Sequence, residues 1–177
     1  MNDFGMVTEA RTVRFERLLP GPIERVWEYL TDSKKRATWL AAGEMDLRVG
    51  GKVRFDFKHS NLTTPPEAYP EKYKKYEKGV GFDCRITRIE PPRLLAFTWA
   101  GPVESEVTFE LTPKGKQVQL VLTHARLSGR DGMVNVSSGW HAHLGVLAQR
   151  LEGEVPATFW PVFAKVEAEY EKRIPQG

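Results

Sequence analysis

The sequence contains one cysteine, Cys84, among 177 residues. A single cysteine excludes an intramolecular disulfide and a thiolate-rich metal site, and it agrees with a reducing compartment. Cys84 belongs to an apolar strand pattern, whereas a reactive thiolate needs an electropositive, partly open setting. We therefore expect Cys84 to be inert core.

Long hydrophobic runs are also absent. No stretch approaches the roughly 18 apolar residues of a membrane span, and residues 1–5 lack a basic segment followed by an apolar one. We expect a soluble, cytoplasmic protein with no stable membrane insertion. Hydrophobic residues make up 41% of the chain, enough to bury a full core, and we expect one domain over residues 1–177.

The charge is mild and not concentrated on one segment. The formal net charge is +3, and basic residues cluster only at 34–36 and 72–78, where a solvated surface explains them. No zinc finger, recognition helix or aromatic RNA-binding strand can be recognised. These absences argue against a nucleic-acid partner.

Motifs for metal, phosphate and hydrolytic chemistry are missing as well. There is no nucleophile elbow or zinc-binding His-Glu pair, and Gly79-Val80-Gly81 lies in a predicted strand with no helix after it. His141 and His143 are two positions apart on a predicted helix, so they cannot share an ion as an i,i+4 pair could. We expect no metal and no cofactor.

What the sequence does contain is a long run of apolar residues that alternate with polar ones. This period of two predicts a meander of about six or seven antiparallel strands with one apolar face. Gly50-Gly51 predicts a hairpin turn after one of these strands. The alternating segments are 13–15, 45–49, 53–57, 80–86, 95–99, 107–111 and 118–124.

Helical spacing precedes and follows these strands. A helix is predicted from Ile23 to Leu30, and a second runs from Ser33, its expected cap, to Leu40. After the strands, residues 139–153 form an amphipathic helix with Trp140 and three leucines on one stripe and small residues beside it. A sheet with one apolar face must be covered, and these helices are the elements able to cover it.

Several local segments, in order and spacing, resemble a known family. They are Pro22 to Trp27 with Leu30-Thr31-Asp32, Trp39, Gly50-Gly51, Ile89-Glu90-Pro91 with Phe97-Thr98-Trp99, and Gly139-Trp140 with Leu144, Leu147 and Leu151-Glu152-Gly153. Over about residues 13–153 the chain resembles the START-like (SRPBCC) superfamily. Within it, the chain is most similar to homologues of the activator of heat-shock-protein-90 ATPase.

The resemblance implies an α+β helix-grip fold, in which a curved antiparallel sheet wraps around a long C-terminal helix and two short helices follow the first strand. It also implies a mostly apolar cavity between sheet and helix. In this superfamily such cavities hold lipids, sterols or polyketides, and some members use them as active sites. The residues that we expect to line the cavity are Trp39, Phe55, Phe57, Phe82, Cys84, Phe97, Trp99, Phe109, Leu120, Leu122, His124, Trp140 and Leu144.

Two segments depart from the family pattern. Residues 59–78, which hold three prolines and three tyrosines, form an insertion that is either a flap or a surface loop. A further amphipathic helix is predicted over about 158–174. It packs within the molecule or pairs with a second copy in a homodimer.

Three functions remain open. The first, which we favour, is binding or sequestration of a hydrophobic small molecule, lipid-like or aromatic and polyketide-like. The second is an enzyme acting on such a substrate in the same cavity, with His124 and His141 as candidate general acid and base. The third is a co-chaperone-like or regulatory protein-interaction module, with a link to stress response that the family name suggests.

Overall fold

The computed structural model describes residues 3–176. Seven strands form one antiparallel sheet, and the alternating apolar pattern places their hydrophobic side chains on one face. The order across the sheet is β1-β2-β7-β6-β5-β4-β3. The strands are β1 (Met6–Glu9), β2 (Thr12–Pro20), β3 (Lys52–Phe57), β4 (Val80–Glu90), β5 (Leu94–Trp99), β6 (Ser105–Lys114) and β7 (Gln117–Ala125).

Four helices accompany the sheet. They are α1 (Ile23–Thr31), α2 (Ser33–Ala37), α3 (Arg130–Leu151) and α4 (Trp160–Arg173), with short 3-10 turns at His59–Asn61 and Glu71–Tyr76. The long helix α3 packs against β2 and α4. None of the described helices has the length and apolar character required to cross a membrane.

The core lies between the apolar face of the sheet and α3. Strand pairing sets Leu95 opposite Phe109 and Phe109 opposite Leu122, so these buried side chains meet in a row across three strands. From the helix, Trp140 and Leu147 are also buried. The predicted α+β helix-grip fold is confirmed.

The predicted strand over residues 45–49 is wrong. The chain before β3 pairs with that strand through two isolated bridges, at Ala42 with Asp56 and, within this segment, at Met45 with Val53. Met45 packs against the core, but Leu47 is 46% and Val49 65% exposed, so the alternating face is not buried beyond Met45. At the other end of the sheet, β1 precedes the strand predicted as the first, so the two short helices follow the second strand.

Helix boundaries also differ from prediction. The cap of α2 is Asp32, whose carboxylate accepts the Lys35 N–H at 2.9 Å, and not Ser33. The helix ends at Ala37 because the buried Arg36 side chain donates to the carbonyls of Ala41 and Gly43 and thereby turns the chain. The long helix α3 begins at Arg130, nine residues before the predicted start.

The two segments that depart from the family pattern pack against each other. The Glu67 carboxylate, in the insertion, accepts the backbone N–H groups of Phe159 at 2.7 Å and Trp160 at 2.9 Å. A carboxylate is favourable there because the first N–H groups of a helix lack intrahelical partners and carry a partial positive charge. The Tyr73 ring stacks on Trp160, with ring centres 5.0 Å apart. The additional helix therefore packs within the molecule, and the homodimer stays a prediction.

Replacing Glu67 by alanine should lower the free energy of unfolding by about 1–2 kcal/mol, since two N–H groups at the start of α4 lose a charged acceptor. Urea unfolding measures the change. Glu71→Ala is the matched control, because Glu71 forms only an exposed ion pair with Lys74, of the kind that contributes roughly 0–1 kcal/mol. Equal losses in the two variants would contradict the capping role.

Candidate functional site

A cavity of about 200 Å³ opens between α3, the strand ends of the sheet, the insertion and α4. Most of its lining is aromatic or aliphatic, and neither Lys, Arg, Asp nor Glu is among the described residues that line it. The lining residues are Leu40, Phe57, His59, Tyr73, Tyr76, Val80, Trp99, Asn135, Val136, Gly139, Trp140, His143, Phe159, Trp160 and Phe163. A concave apolar site with a few polar groups is the usual form of a small-molecule pocket.

One face of α3 forms a wall of the cavity. Val136, Gly139, Trp140 and His143 recur at intervals of three or four residues, which places them on the same side of a helix. A Cβ added at Gly139 would meet nothing within 4 Å among the described residues. This glycine therefore borders open space.

The orientation of this face is fixed by a buried polar contact. The Trp140 indole N–H donates to Nδ1 of His124 at 3.0 Å. Since Nδ1 accepts, the imidazole proton is on Nε2, which donates to the Ser105 hydroxyl at 2.7 Å. Burial lowers the pKa of His124 to about 3. His124 is thus neutral, has both ring nitrogens engaged, and positions Trp140.

The cavity also holds two histidines that were not among the predicted lining residues. Nδ1 of His143 is 2.7 Å from the Trp39 carbonyl oxygen, and the His59 ring lies beside it, with ring centres 5.4 Å apart. Burial lowers the pKa of His143 to about 3 and that of His59 to about 4. Both rings are therefore uncharged at neutral pH. Nδ1 of His59 is buried and without a partner among residues 3–176.

Aromatic rings surround these histidines. Trp160 lies 4.9 Å from His59, and Phe159 lies 4.8 Å from His143, measured between ring centres. On the sheet side, Trp99 lies 5.2 Å from Trp140. Flat rings at these separations favour a flat, apolar occupant.

Three of the predicted lining residues, Phe57, Trp99 and Trp140, border the cavity. The remaining aromatic side chains of the sheet pack against one another. The ring centres of Phe55 and Phe97, for example, are 5.3 Å apart. Cys84 is buried, and burial raises the pKa of its thiol to about 11. The other predicted residues are core neighbours that do not line the cavity, namely Trp39, Phe55, Phe82, Cys84, Phe97, Phe109, Leu120, Leu122, His124 and Leu144.

The two candidate catalytic histidines do not meet in the cavity. His141 points to the opposite side of α3, where its Nδ1 lies 2.9 Å from the Tyr170 hydroxyl. That hydroxyl also accepts the Gly5 N–H at 2.7 Å. Burial, with a smaller contribution from Arg17, lowers the pKa of His141 to about 4.

Sequence reasoning missed twelve of the lining residues, and half of these come from the insertion and the start of α4. These six are His59, Tyr73 and Tyr76 from the insertion, and the capping residue Phe159 with Trp160 and Phe163 from α4. The available signal was the density of aromatic residues in two segments that depart from the family pattern. A cluster of three or more His, Cys, Asp or Glu side chains suited to a metal ion is absent from the described residues.

Residues 20–152 match the family described as Activator of Hsp90 ATPase homolog 1-like protein. The chain belongs to this family. The family is part of the START-like (SRPBCC) superfamily, so the predicted membership is confirmed. Because the matched range ends before α4, the family match covers only part of the cavity lining.

Solved structures show the same fold. The protein encoded by gene BPP1335 from Bordetella parapertussis is 47% identical, with a TM-score of 0.84 over 99% of this chain and 92% of that chain. CalU16 from Micromonospora echinospora is 22% identical, with a TM-score of 0.70 over 93% and 89%. DynU16, described as a putative protein in the dynemicin biosynthetic locus, is 24% identical, with a TM-score of 0.62 over 82% and 49%. No curated protein matches the chain.

The buried neutral histidines predict that acid destabilises the protein. An unfolded histidine titrates near pH 6.5, whereas His124 and His143 titrate at about 3 in the fold. Their stabilising contribution is therefore complete above pH 6.5 and falls as the pH drops towards 3. Between pH 6.5 and 4.5 each should remove about 2 kcal/mol from the free energy of unfolding.

Urea unfolding at several pH values measures this loss. His124→Asn removes one titrating group and should flatten the pH dependence by about 1.4 kcal/mol per pH unit, although the variant is less stable overall. A free energy of unfolding that does not change between pH 6.5 and 4.5 would show that the histidines are not held neutral.

Proposed function

We propose that the protein binds a small hydrophobic molecule in the cavity between the sheet, α3, the insertion and α4. The observation that carries this proposal is an open space of about 200 Å³ lined by aromatic side chains and by no Lys, Arg, Asp or Glu among the described residues. Moving apolar ligand surface out of water into such a site contributes about 25 cal/mol per Å².

The volume and lining narrow the class of ligand. A cavity of about 150 Å³ engineered into another protein accepts benzene. About 200 Å³ therefore suits a molecule of one or two rings better than a sterol or a complete lipid. The flat walls formed by Trp99, Trp140 and Trp160 favour an aromatic molecule over a flexible chain.

Binding is favoured over the enzymatic alternative. A general base works best with a pKa near the working pH, and the pKa of His143, which does line the cavity, is lowered to about 3 by burial. His124 has no free ring nitrogen, and His141 lies outside the cavity lining. The protein-interaction alternative rests on the family description alone.

A pair of glycine variants on one helix tests the proposal. Gly139→Leu places a side chain into the cavity, whereas Gly145→Leu places the same side chain at an exposed site outside it, and neither Cβ meets an atom within 4 Å. Both changes add helix propensity of up to about 1 kcal/mol. Isothermal titration with naphthalene and indole should show binding to the unsubstituted protein and to Gly145→Leu, with at least a tenfold loss in Gly139→Leu.

Native mass spectrometry of the protein purified gently from its own cells then asks what the cavity holds. A stoichiometric adduct that is present in Gly145→Leu and absent in Gly139→Leu would support the proposal. The absence of any adduct, together with equal titrations for the two variants, would contradict it.

A further inference from the structure

Two histidines of the cavity lining, His59 and His143, lie side by side with ring centres 5.4 Å apart, and we call this pair the histidine corner. Most of the other lining residues are aliphatic or aromatic. We infer that the ligand is a neutral aromatic alcohol whose hydroxyl group donates a hydrogen bond to Nε2 of His143. This inference rests on the proposed binding function and names the chemistry of its ligand.

The tautomer of His143 follows from its partner. A backbone carbonyl oxygen can only accept, so Nδ1, at 2.7 Å from the Trp39 oxygen, carries the proton. Nε2 then has a lone pair and no proton. No residue among 3–176 donates to this nitrogen, and the ring that carries it borders the cavity. It is therefore an acceptor available to a ligand.

Three other polar side chains of the lining are placed differently. Asn135 is exposed, and the Tyr73 hydroxyl lies 3.5 Å from the Glu167 carboxylate, facing α4. His59 is half-buried between Trp160 and Phe159, at 4.9 and 5.2 Å between ring centres, and its unpartnered Nδ1 is closed off by the surrounding atoms. The His143 ring is buried, and its Nε2 makes no hydrogen bond within residues 3–176.

A carboxylate ligand lacks a counter-charge in this site. Neither lysine nor arginine is among the described residues that line the cavity. Burying an ionised carboxylate without a cation is strongly unfavourable, so fatty acids and aromatic acids are poor candidates. The lone pair on Nε2 would also repel the carboxylate oxygens.

A hydroxyl group on the ligand gains a hydrogen bond in this site that an ether or a hydrocarbon cannot form. A phenol loses its bonds to water on entering the cavity and recovers one at Nε2, whereas an ether leaves that nitrogen without a donor. One net hydrogen bond of ordinary strength corresponds to about tenfold in affinity. The aromatic body of the ligand is then held by the rings, and the hydroxyl fixes its orientation.

A matched ligand series tests the inference on the unsubstituted protein. 2-Naphthol, 2-methoxynaphthalene, naphthalene and 2-naphthoate share one ring system and differ in the donor and the charge. Isothermal titration at pH 7.5 should give the tightest binding for 2-naphthol, about tenfold tighter than for 2-methoxynaphthalene. Binding of 2-naphthoate should be weaker than that of all three neutral compounds.

A pair of histidine variants assigns the contact. His143→Phe keeps the aromatic volume and removes the acceptor, so it should abolish the preference for 2-naphthol while retaining binding of naphthalene. His141→Phe, on the same helix but outside the cavity lining, should keep the preference. Because His143→Phe also removes the donor to the Trp39 carbonyl, its fold is checked by circular dichroism, and the ligand series decides the question if the variant does not fold.

The outcomes separate the two proposals. If none of the neutral compounds binds, the proposed function fails. If the three neutral compounds bind equally, or 2-naphthoate binds best, the function stands and the inference of a neutral donor is overturned. A preference for 2-naphthol that persists in His143→Phe would overturn the assignment to that residue.

Discussion

The hydrogen bond from the Trp140 indole to His124 is the contact on which the cavity depends. It joins the long helix to the centre of the sheet. The Ser105 hydroxyl accepts a hydrogen bond from the other ring nitrogen of His124 and so completes the contact. A hydrogen bond is directional, so this contact adds to the apolar packing in holding the helix in one rotation about its axis. In that rotation Gly139 and His143 border the cavity and His141 faces away from it.

The second half of the site is built from segments outside the regular pattern of the family. The insertion between β3 and β4, together with α4 and its capping residue Phe159, supplies six of the fifteen residues that line the cavity. Neither segment has an extensive core of its own, and each buries its aromatic rings against the other and against α3. The Glu67 carboxylate joins them by binding the first N–H groups of α4. Variation in these two segments would change the pocket while leaving the sheet and α3 intact.

The four histidines of the chain share one electrostatic condition. Burial lowers the pKa of His59, His124, His141 and His143 well below the ordinary value. Imidazole in this state exchanges protons poorly near neutrality, but it offers a fixed donor and a fixed acceptor. The protein uses these groups to orient Trp140, to tie α3 to the Trp39 carbonyl and, in our proposal, to recognise a hydroxyl group.

The local pattern of apolar and polar residues was sufficient to predict most of the fold. Alternation located the strands from β2 to β7, because a side chain in a strand faces the core at every second position, and the spacing of Trp140 and its leucines located α3. It failed at 45–49, where the side chains of Leu47 and Val49 are exposed, and at β1, whose four residues are all exposed and leave no apolar pattern to read.

The cavity itself was decided by the tertiary structure. Phe55, Phe97 and Phe109 look like Phe57 and Trp99 in the sequence, since each is a large aromatic residue in a segment where bulky apolar residues recur at every second position. The first three are buried against one another and their core neighbours, and the other two border open space. The sequence determined which side chains are buried, because burial follows from polarity and period. Which of them leave room for a ligand depends on how α3, the insertion and α4 are placed over the sheet, and that placement is set by contacts between residues distant in the chain.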